Sequence, residues 1–358
     1  MVYKTLTNLR KSGNVLASNT MSELSWGTGP TQYFFELTPN AVMDAIEREP
    51  ILGEVKRCTG FCQPLASFEN RVYEIEFEDK TRAVTKFYRP GRWTEAQIQE
   101  EHEFMLDIEA AEIPVVVPYY FSKPSDTLRK SPSGLYYCVY PKIGGRQPED
   151  LQRDRLNQLG RLIARMHTVG VQRKAPARVK LNPETYGEAS LNFLLQEKIV
   201  SPHVENRFEK AVRQIIQFAK IKFKDQPLQR IHGDCHAGNI LWNEKTGPFF
   251  IDFDDMVNGP PVQDLWLLAP DPESFKYLLE GYEQMRDLPD GSEGLVESLR
   301  ALRMIHYATW IAKRYEDPAF QRAFPQFESP RYWEDLSADL EKQLHRMEGT
   351  FQSYGDDA

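Results

Sequence analysis

The spacing of apolar and polar residues changes character several times along the chain. Residues 1 to about 30 are rich in Ser, Thr, Asn and Gly and show no sustained period, the composition of a poorly ordered arm. Met21 lies inside this stretch and is a candidate for the natural start. From Asn40 to Glu47, the residues Val42, Ala45 and Ile46 share one side of a short predicted helix. Between Phe61 and Phe87, Val72, Ile75, Phe77 and Val84 are separated by polar residues, and Glu78-Asp79-Lys80 supplies a turn. That pattern predicts a β-hairpin. Thr94-Glu95-Ala96-Gln97 is a capping box opening a helix that runs to about Ala111. Ile113 to Pro118 and Leu135 to Val139 read as strands, and Ile143-Gly144-Gly145-Arg146 as a flexible link.

Beyond the link the rhythm is mostly helical. Leu156, Leu159, Leu162, Ile163 and Met166 form one stripe, and the stretches from Phe193 to Ile199 and from Ala211 to Phe223 behave alike. One interruption stands out. Ile240-Leu241-Trp242 and Phe249-Phe250-Ile251 are short β-type runs on either side of a turn at Asn243 to Gly247. Helices resume through Met304-Ile305 to the end, with no internal repeat. The predicted architecture is α+β and bilobal. It has an arm at 1–30, a small β-rich N-lobe at 31–140, a larger helical C-lobe at 141–350 and a tail at 351–358.

Composition narrows the class. The 358 residues are 41% hydrophobic and 27% charged, enough for two cores of ordinary make-up. A net charge of −8 argues against a nucleic-acid partner. Cys58, Cys62, Cys138 and Cys235 form no CxxC pair, which suggests reduced thiols in a cytoplasmic protein. No apolar run approaches the roughly 20 residues of a membrane span, and none at the N-terminus is of signal-peptide type.

The β-type interruption carries the chemistry. It is preceded by Ile231-His232-Gly233-Asp234-Cys235-His236-Ala237-Gly238-Asn239 and followed by Asp252-Phe253-Asp254. An Asp with an Asn five residues on and a second Asp eighteen on supplies what phosphoryl transfer from ATP requires. Asp234 is the candidate base for an acceptor hydroxyl. Asn239 and Asp252 are candidate ligands for Mg²⁺, which prefers oxygen donors and keeps waters and phosphates in its shell. Asp254 and Asp255 read as a polar turn, with Asp254 a possible second metal residue. Lys86 sits among apolar strand residues and needs a partner. On the capped helix Glu101 falls on the face of Ile98, Met105 and Ile108. Lys86 and Glu101 are thus the candidate pair that holds ATP phosphates. The nucleotide roof has no glycine-rich loop. Small residues around Ser67 take that place, and Ser67 adds a hydroxyl donor. Cys235-His236 lacks the second pair of a zinc site. His232 reads as an anchor for the loop, and Asp264 as a buried carboxylate accepting its N–H groups. Gly233 stands where regulated protein kinases carry Arg, and eleven residues separate Asp252 from Asp264. An enzyme active without an activation-loop switch is expected.

These residues resemble a known family. His-Gly-Asp followed by Asn and Ile-Asp is similar to the aminoglycoside phosphotransferase and choline kinase superfamily. Ser67-Phe68-Glu69-Asn70-Arg71-Val72-Tyr73, Lys86 to Pro90, Arg92-Trp93-Thr94, Gly144-Gly145-Arg146, His232 to Trp242, Asn258-Gly259-Pro260 and Asp317 to Phe320 resemble more closely the bacterial stress response kinase A (YihE) family, over roughly residues 35 to 345. The resemblance implies a bilobal protein-kinase-like fold and a cytoplasmic monomer. It also implies Asp234 as proton acceptor, Asn239 and Asp252 as magnesium ligands, Ser67 close to ATP, and a Ser/Thr protein substrate, itself included as a phosphoprotein. Two alternatives stay open: a kinase of small hydroxyl compounds such as an aminoglycoside, choline or homoserine, and a pseudokinase that only binds. The intact Lys86, Asp234, Asn239 and Asp252 weigh against the last.

Overall fold

Thr38 accepts a hydrogen bond from Ala41 N and starts helix α1 (Pro39–Glu47). The computed structural model describes residues 37–67 and 69–355. The arm at 1–30, the candidate start at Met21, and Phe68 of the roof lie outside the described residues. Strands β1 (Cys58–Leu65), β2 (Arg71–Phe77) and β3 (Arg82–Phe87) follow, then helix α2 (Glu95–Ala110), β4 (Arg129–Lys130) and β5 (Tyr136–Pro141). They make an antiparallel sheet in the order β1-β2-β3-β5-β4. Helix α1 covers one face. Val42, Ala45 and Ile46 pack there with Tyr73, Ile75, Phe77, Ala83, Phe87 and Val139.

The sheet corrects the predicted hairpin in one respect. Val72 pairs with Lys86 and Val84 with Glu74, so both valines stand on the face opposite Ile75 and Phe77. Side chains alternate along a strand, and the second face is the one that carries Lys86. Ile113 to Pro118 is a second correction. It forms no strand, only a single bridge between Val115 and Phe250. Pro114 and Pro118 have no N–H to extend a ladder. The link at 143–146 is pinned rather than loose. Arg146 exchanges two backbone hydrogen bonds with Trp242, and Asn243 Nδ2 donates to Gly144 O at 3.1 Å.

The capping box of α2 forms in full, with Thr94 and Gln97 bonded both ways. The helix is shared between the lobes. Ile98 packs with Tyr88, Trp93 and Cys138, whereas Phe104, Met105 and Ile108 enter the core of the C-lobe. That core is built on α3 (Arg153–Gly170) through Leu156, Leu159, Ile163 and Met166, and a single π-helical turn (Pro183–Glu188), α4 (Ala189–Gln196), α5 (Glu205–Phe223) and the short strand β6 (Gln229–Ile231) follow in the chain. The hairpin of β7 (Ile240–Asn243) and β8 (Gly247–Phe250) comes next, then β9 (Val257–Gly259), which pairs with β6. Helices α6 (Val262–Leu268), α7 (Pro272–Tyr282), α8 (Val296–Ala312), α9 (Pro318–Ala323) and α10 (Pro330–Gly355) complete the chain. Residues 351–355, read as tail, continue α10. A second core joins α4, α5, α8 and α10 through Leu194, Phe208, Ile305, Trp333 and Leu340.

Candidate active site

The cleft between the sheet and the β7–β8 hairpin holds two sets of charges. The first belongs to its wall. Lys86 Nζ lies 3.1 Å from Glu101 Oε1 and 3.3 Å from Asp254 Oδ1. Glu101 is fully buried and Asp254 nearly so. Tyr88 Oη donates to Glu101 Oε1 at 3.2 Å, and Lys86 Nζ stands 4.5 Å from the centre of the Tyr88 ring. Arg92 binds Asp254 and Asp255 through its two terminal nitrogens. Arg178 donates to Met256 O at 2.7 Å and to Asp254 O, with Glu101 Oε2 at 3.8 Å. Burial disfavours each charge: it pushes the Glu101 carboxyl up and the Arg178 guanidinium down, whereas at Lys86 and Asp254 the partners win. Asp254 and Glu101 hold the Lys86 ammonium well above its usual range. Against burial, Arg92, Lys86 and Arg178 hold the Asp254 carboxyl far below its own. The Lys86–Glu101 pair read from the sequence is thus present. Asp254 lies in the 3-10 turn Phe253–Asp255, buried, with its oxygens facing the cations Lys86 and Arg92 of the wall.

The second set lies on the floor. Asp264, fully buried in the first turn of α6, accepts from His232 N at 2.9 Å and Gly233 N at 2.8 Å. His167 Nε2 braces the same carboxylate at 3.0 Å. His232 Nε2 is 2.9 Å from Ile251 O, so the histidine ties the loop before β7 to the residue before Asp252. Gly233 has φ +83°, and a Cβ there would lie 2.2 Å from Asp255 O. No larger residue fits, and the arginine of regulated kinases is sterically excluded.

Asp234 leaves this brace facing the cleft. Asn239 Nδ2 donates to Asp234 O at 2.9 Å, which directs Asn239 Oδ1 away as a free acceptor. Asp252 has φ 60° and ψ 65°, a left-handed conformation that an Asp tolerates and most residues resist. Strain of this kind concentrates at functional sites. Its side chain is 54% exposed, with Lys86 Nζ at 3.8 Å. Asn239 and Asp252 are therefore hard oxygen donors open to the cleft. Among the described residues no group of three or more His, Cys, Asp or Glu is placed to hold a metal. A two-donor site suits Mg²⁺, whose remaining ligands are waters and phosphates. Cys235 is buried in the core, whereas His236 faces Asp234 at 3.4 Å, so the adjacent pair does not converge.

The roof is less open than its sequence suggests. Ser67 Oγ accepts from Asn70 N at 3.3 Å and closes the turn. Asn70 Oδ1 in turn accepts from Arg89 N. Glu69 reaches across to the C-lobe, where its Oε2 takes Trp310 Nε1 at 2.8 Å and Arg314 Nε at 2.6 Å. Arg89 joins Asp317 at 2.9 Å.

No sequence pattern assigns a role to Arg92, which enters only through the family resemblance, or to Arg178, Arg303, Trp310 and Arg314. Arg303 Nη2 lies 2.9 Å from Asp234 Oδ1. Arg178 follows Ala177 and precedes Val179, and an arginine among apolar residues was a signal that went unread.

The phosphotransferase enzyme family matches residues 62–295. A protein of Escherichia coli named stress response kinase A is 37% identical over 306 residues, covering 84% of this chain and 90% of that one. The chain belongs to the stress response kinase A family, within the phosphotransferase enzyme family. A Salmonella typhimurium relative, named serine/threonine protein kinase RdoA, is 36% identical over 307 residues, with 84% and 90% covered. Solved structures share the fold at lower identity. An amicoumacin kinase, solved with AMP-PNP, Ca²⁺ and its antibiotic, has a TM-score of 0.62 at 20% identity and covers 80% of this chain and 91% of its own. A spectinomycin phosphotransferase solved with ADP has 0.60 at 14%, covering 86% and 99%. The bilobal α+β fold is the aminoglycoside phosphotransferase type, and this stress response kinase A family member is a kinase that uses ATP. No described helix is long and apolar enough to cross a membrane.

Proposed function

We propose that the chain transfers the γ-phosphoryl group of ATP to a Ser or Thr hydroxyl of a protein, and that it is a stress-response kinase. The observation that carries the transfer is the convergence of Asp234, Asn239, Asp252 and Lys86 on one cleft, with Lys86 held by Glu101. The protein acceptor is supported by relatives named as serine/threonine and stress response kinases.

In this reading Asp234 accepts the hydroxyl proton. Burial opposes its charge, but the His236 hydrogen bond and the Arg303 guanidinium hold its carboxyl below the usual range, so the base is ionised. Asn239 Oδ1 and Asp252 hold Mg²⁺, which neutralises charge on the phosphates when bound. Lys86 orients the phosphates from above, with Ser67 at the roof. No phosphorylated activation segment is needed, because Gly233 has no room for the arginine that reads one. The chain acts as a monomer in the cytoplasm, in keeping with its free cysteines.

The test gives the purified chain labelled ATP and Mg²⁺ with dephosphorylated casein, and separately with a panel of small amino-alcohols and aminoglycosides. Label in Ser or Thr of casein or of the chain itself, without a lag after phosphatase treatment, is the expected outcome. Asp234→Asn should lower transfer by about 10²–10⁴-fold while ATP binding persists. Label confined to a small compound would move the acceptor to the small-molecule class, that of the amicoumacin kinase and the spectinomycin phosphotransferase that share this fold.

A further inference from the structure

The structure accounts for both oxygens of the Asp234 carboxylate. Oδ2 has Asn239 Nδ2 at 3.4 Å and His236 Nε2 at 3.4 Å. Oδ1 has Arg303 Nη2 at 2.9 Å. An attacking hydroxyl must reach one of these oxygens to deliver its proton. The three donors in its way are not equally removable. Asn239 is tied by its Nδ2 to Asp234 O and by its own carbonyl to Ile251 N at 3.0 Å. His236 Nδ1 is fixed by Gly238 N at 3.0 Å. Arg303 projects from α8, is 38% exposed, and shows no other ion pair among the described residues. It is the donor that can leave.

We propose that Arg303 is the residue that discriminates a bound acceptor from water. It covers Asp234 Oδ1 until an acceptor displaces it. The inference rests on the phosphotransferase reading but not on the identity of the acceptor. Water brings only its own hydrogen bonds and cannot offset the loss of a charge-assisted contact. An acceptor has contacts remote from its hydroxyl, and such contacts can drive a rearrangement at the reacting centre. A surface for them stands one turn along α8. Tyr307 is 43% exposed and stacks on Trp310 with ring centres 5.4 Å apart, and residues four apart share a helix face.

The two reactions that compete differ only in the nucleophile. In transfer, the acceptor oxygen bonds to the γ-phosphorus while the bond from that phosphorus to the β,γ-bridging oxygen breaks. ADP leaves with the bridging oxygen, and the hydroxyl proton passes to Asp234. With water as nucleophile the same bonds form and break, and inorganic phosphate is the product. Arg303 suppresses the second reaction by occupying the oxygen that water needs.

The experiment measures phosphate release from ATP and Mg²⁺ by the full chain without acceptor, then ATP consumption and protein labelling with casein added. Arg303→Ala should release phosphate about tenfold faster than the unmodified chain, the fold-change equivalent to losing one charge-assisted hydrogen bond. Arg303→Lys should stay near the unmodified rate. Arg303→Ala/Asp234→Asn should lose the excess, showing that it passes through Asp234. With casein, a smaller share of the ATP consumed by Arg303→Ala should appear as phosphoprotein. Arg303→Gln, with a neutral donor of shorter reach, decides the point if the alanine variant fails to fold. A folded Arg303 variant of unchanged ATP affinity that hydrolyses no faster than the unmodified chain would overturn the proposal. An unmodified chain and an Arg303→Ala chain that both consume no ATP, alone, with casein or with the panel of amino-alcohols and aminoglycosides, would overturn the phosphotransferase reading instead, and this proposal with it.

Discussion

Asp252 and Asp254 stand two residues apart and do opposite work. Asp254 is 4% exposed and is surrounded by Lys86, Arg92 and the Arg178 guanidinium. Asp252 is 54% exposed, left-handed in backbone, and has Lys86 Nζ at 3.8 Å. The wall of the cleft is a buried ion network, whereas at Asp252 the floor presents an exposed carboxylate. A buried carboxylate with cations on every side is structural, because removing it strands them. An open carboxylate held in a strained backbone contributes little to stability and is available to a ligand. Chemistry at this site depends on both kinds, the first fixing Lys86 in place and the second meeting the metal and phosphate.

The sharpest test of that contrast exchanges the roles. Asp254→Ala leaves Lys86 and Arg92 buried without their carboxylate, and should cost about 3–5 kcal/mol of stability. Asp252→Ala should change stability by less than about 1 kcal/mol yet abolish tight binding of metal-bound nucleotide. Denaturant melts and ATP titrations at fixed Mg²⁺ read the two effects. Equal destabilisation by both variants would erase the distinction between wall and floor.

A finer test lies within the wall. Lys86→Met or Glu101→Gln alone should cost about 2–4 kcal/mol, and the double variant less than their sum, since contacting ions couple. A double-mutant cycle in melting is the measurement, and additive losses would mean that the pair is not coupled.

The loop below the wall offers a backbone test. Gly233→Ala meets Asp255 O and a positive φ, and should cost about 1–3 kcal/mol with transfer reduced in parallel. An alanine variant as stable and active as the unmodified chain would show that the close approach is soft.

The effect that is smallest near neutral pH concerns His102, buried between Tyr88 Oη and Thr127 Oγ1 at 2.8 Å each. Burial first, then Lys86 and Arg178, push its pKa down to about 3. The folded state therefore keeps it neutral while the unfolded chain protonates near pH 6.5. The unfolded state binds more protons below that pH, so this stability is full above about pH 6.5 and falls by up to about 1.4 kcal/mol per unit on acidification towards pH 3. His102→Gln should flatten the slope between pH 6.5 and 5, and an unchanged slope would remove His102 as its source.

What was legible in the sequence was local or paired with one partner. The spacing of Asp234, Asn239 and Asp252 survives because β7 and β8 join them by a tight hairpin. The Lys86–Glu101 pair could be found because each charge interrupts an apolar face. The Arg92, Arg178, Trp310 and Arg314 contacts bring together residues 76 to 245 positions apart, and no periodicity reports on such a meeting. Ile113 to Pro118 failed for a different reason. Its valines have strand propensity, but its prolines withhold the donors, and one bridge to Phe250 is all the backbone can make.

The reach from Glu69 to Trp310 and Arg314 has a consequence for the chain as it is made. Glu69 and Arg89 leave the ribosome early, and their partners Arg314 and Asp317 follow 245 and 228 residues later. At ordinary synthesis rates of about 5–20 residues per second, the wait is about 12 to 50 s. During it the nascent sheet carries charges whose burial has no compensation, so the roof stays hydrated and unformed. The N-lobe cannot reach its final form ahead of the C-lobe, and the nucleotide cleft is completed only when α8 and α9 arrive. A chain stopped before residue 310 would retain Ser67, Lys86, Glu101, Asp234, Asn239 and Asp252 and still lack the roof.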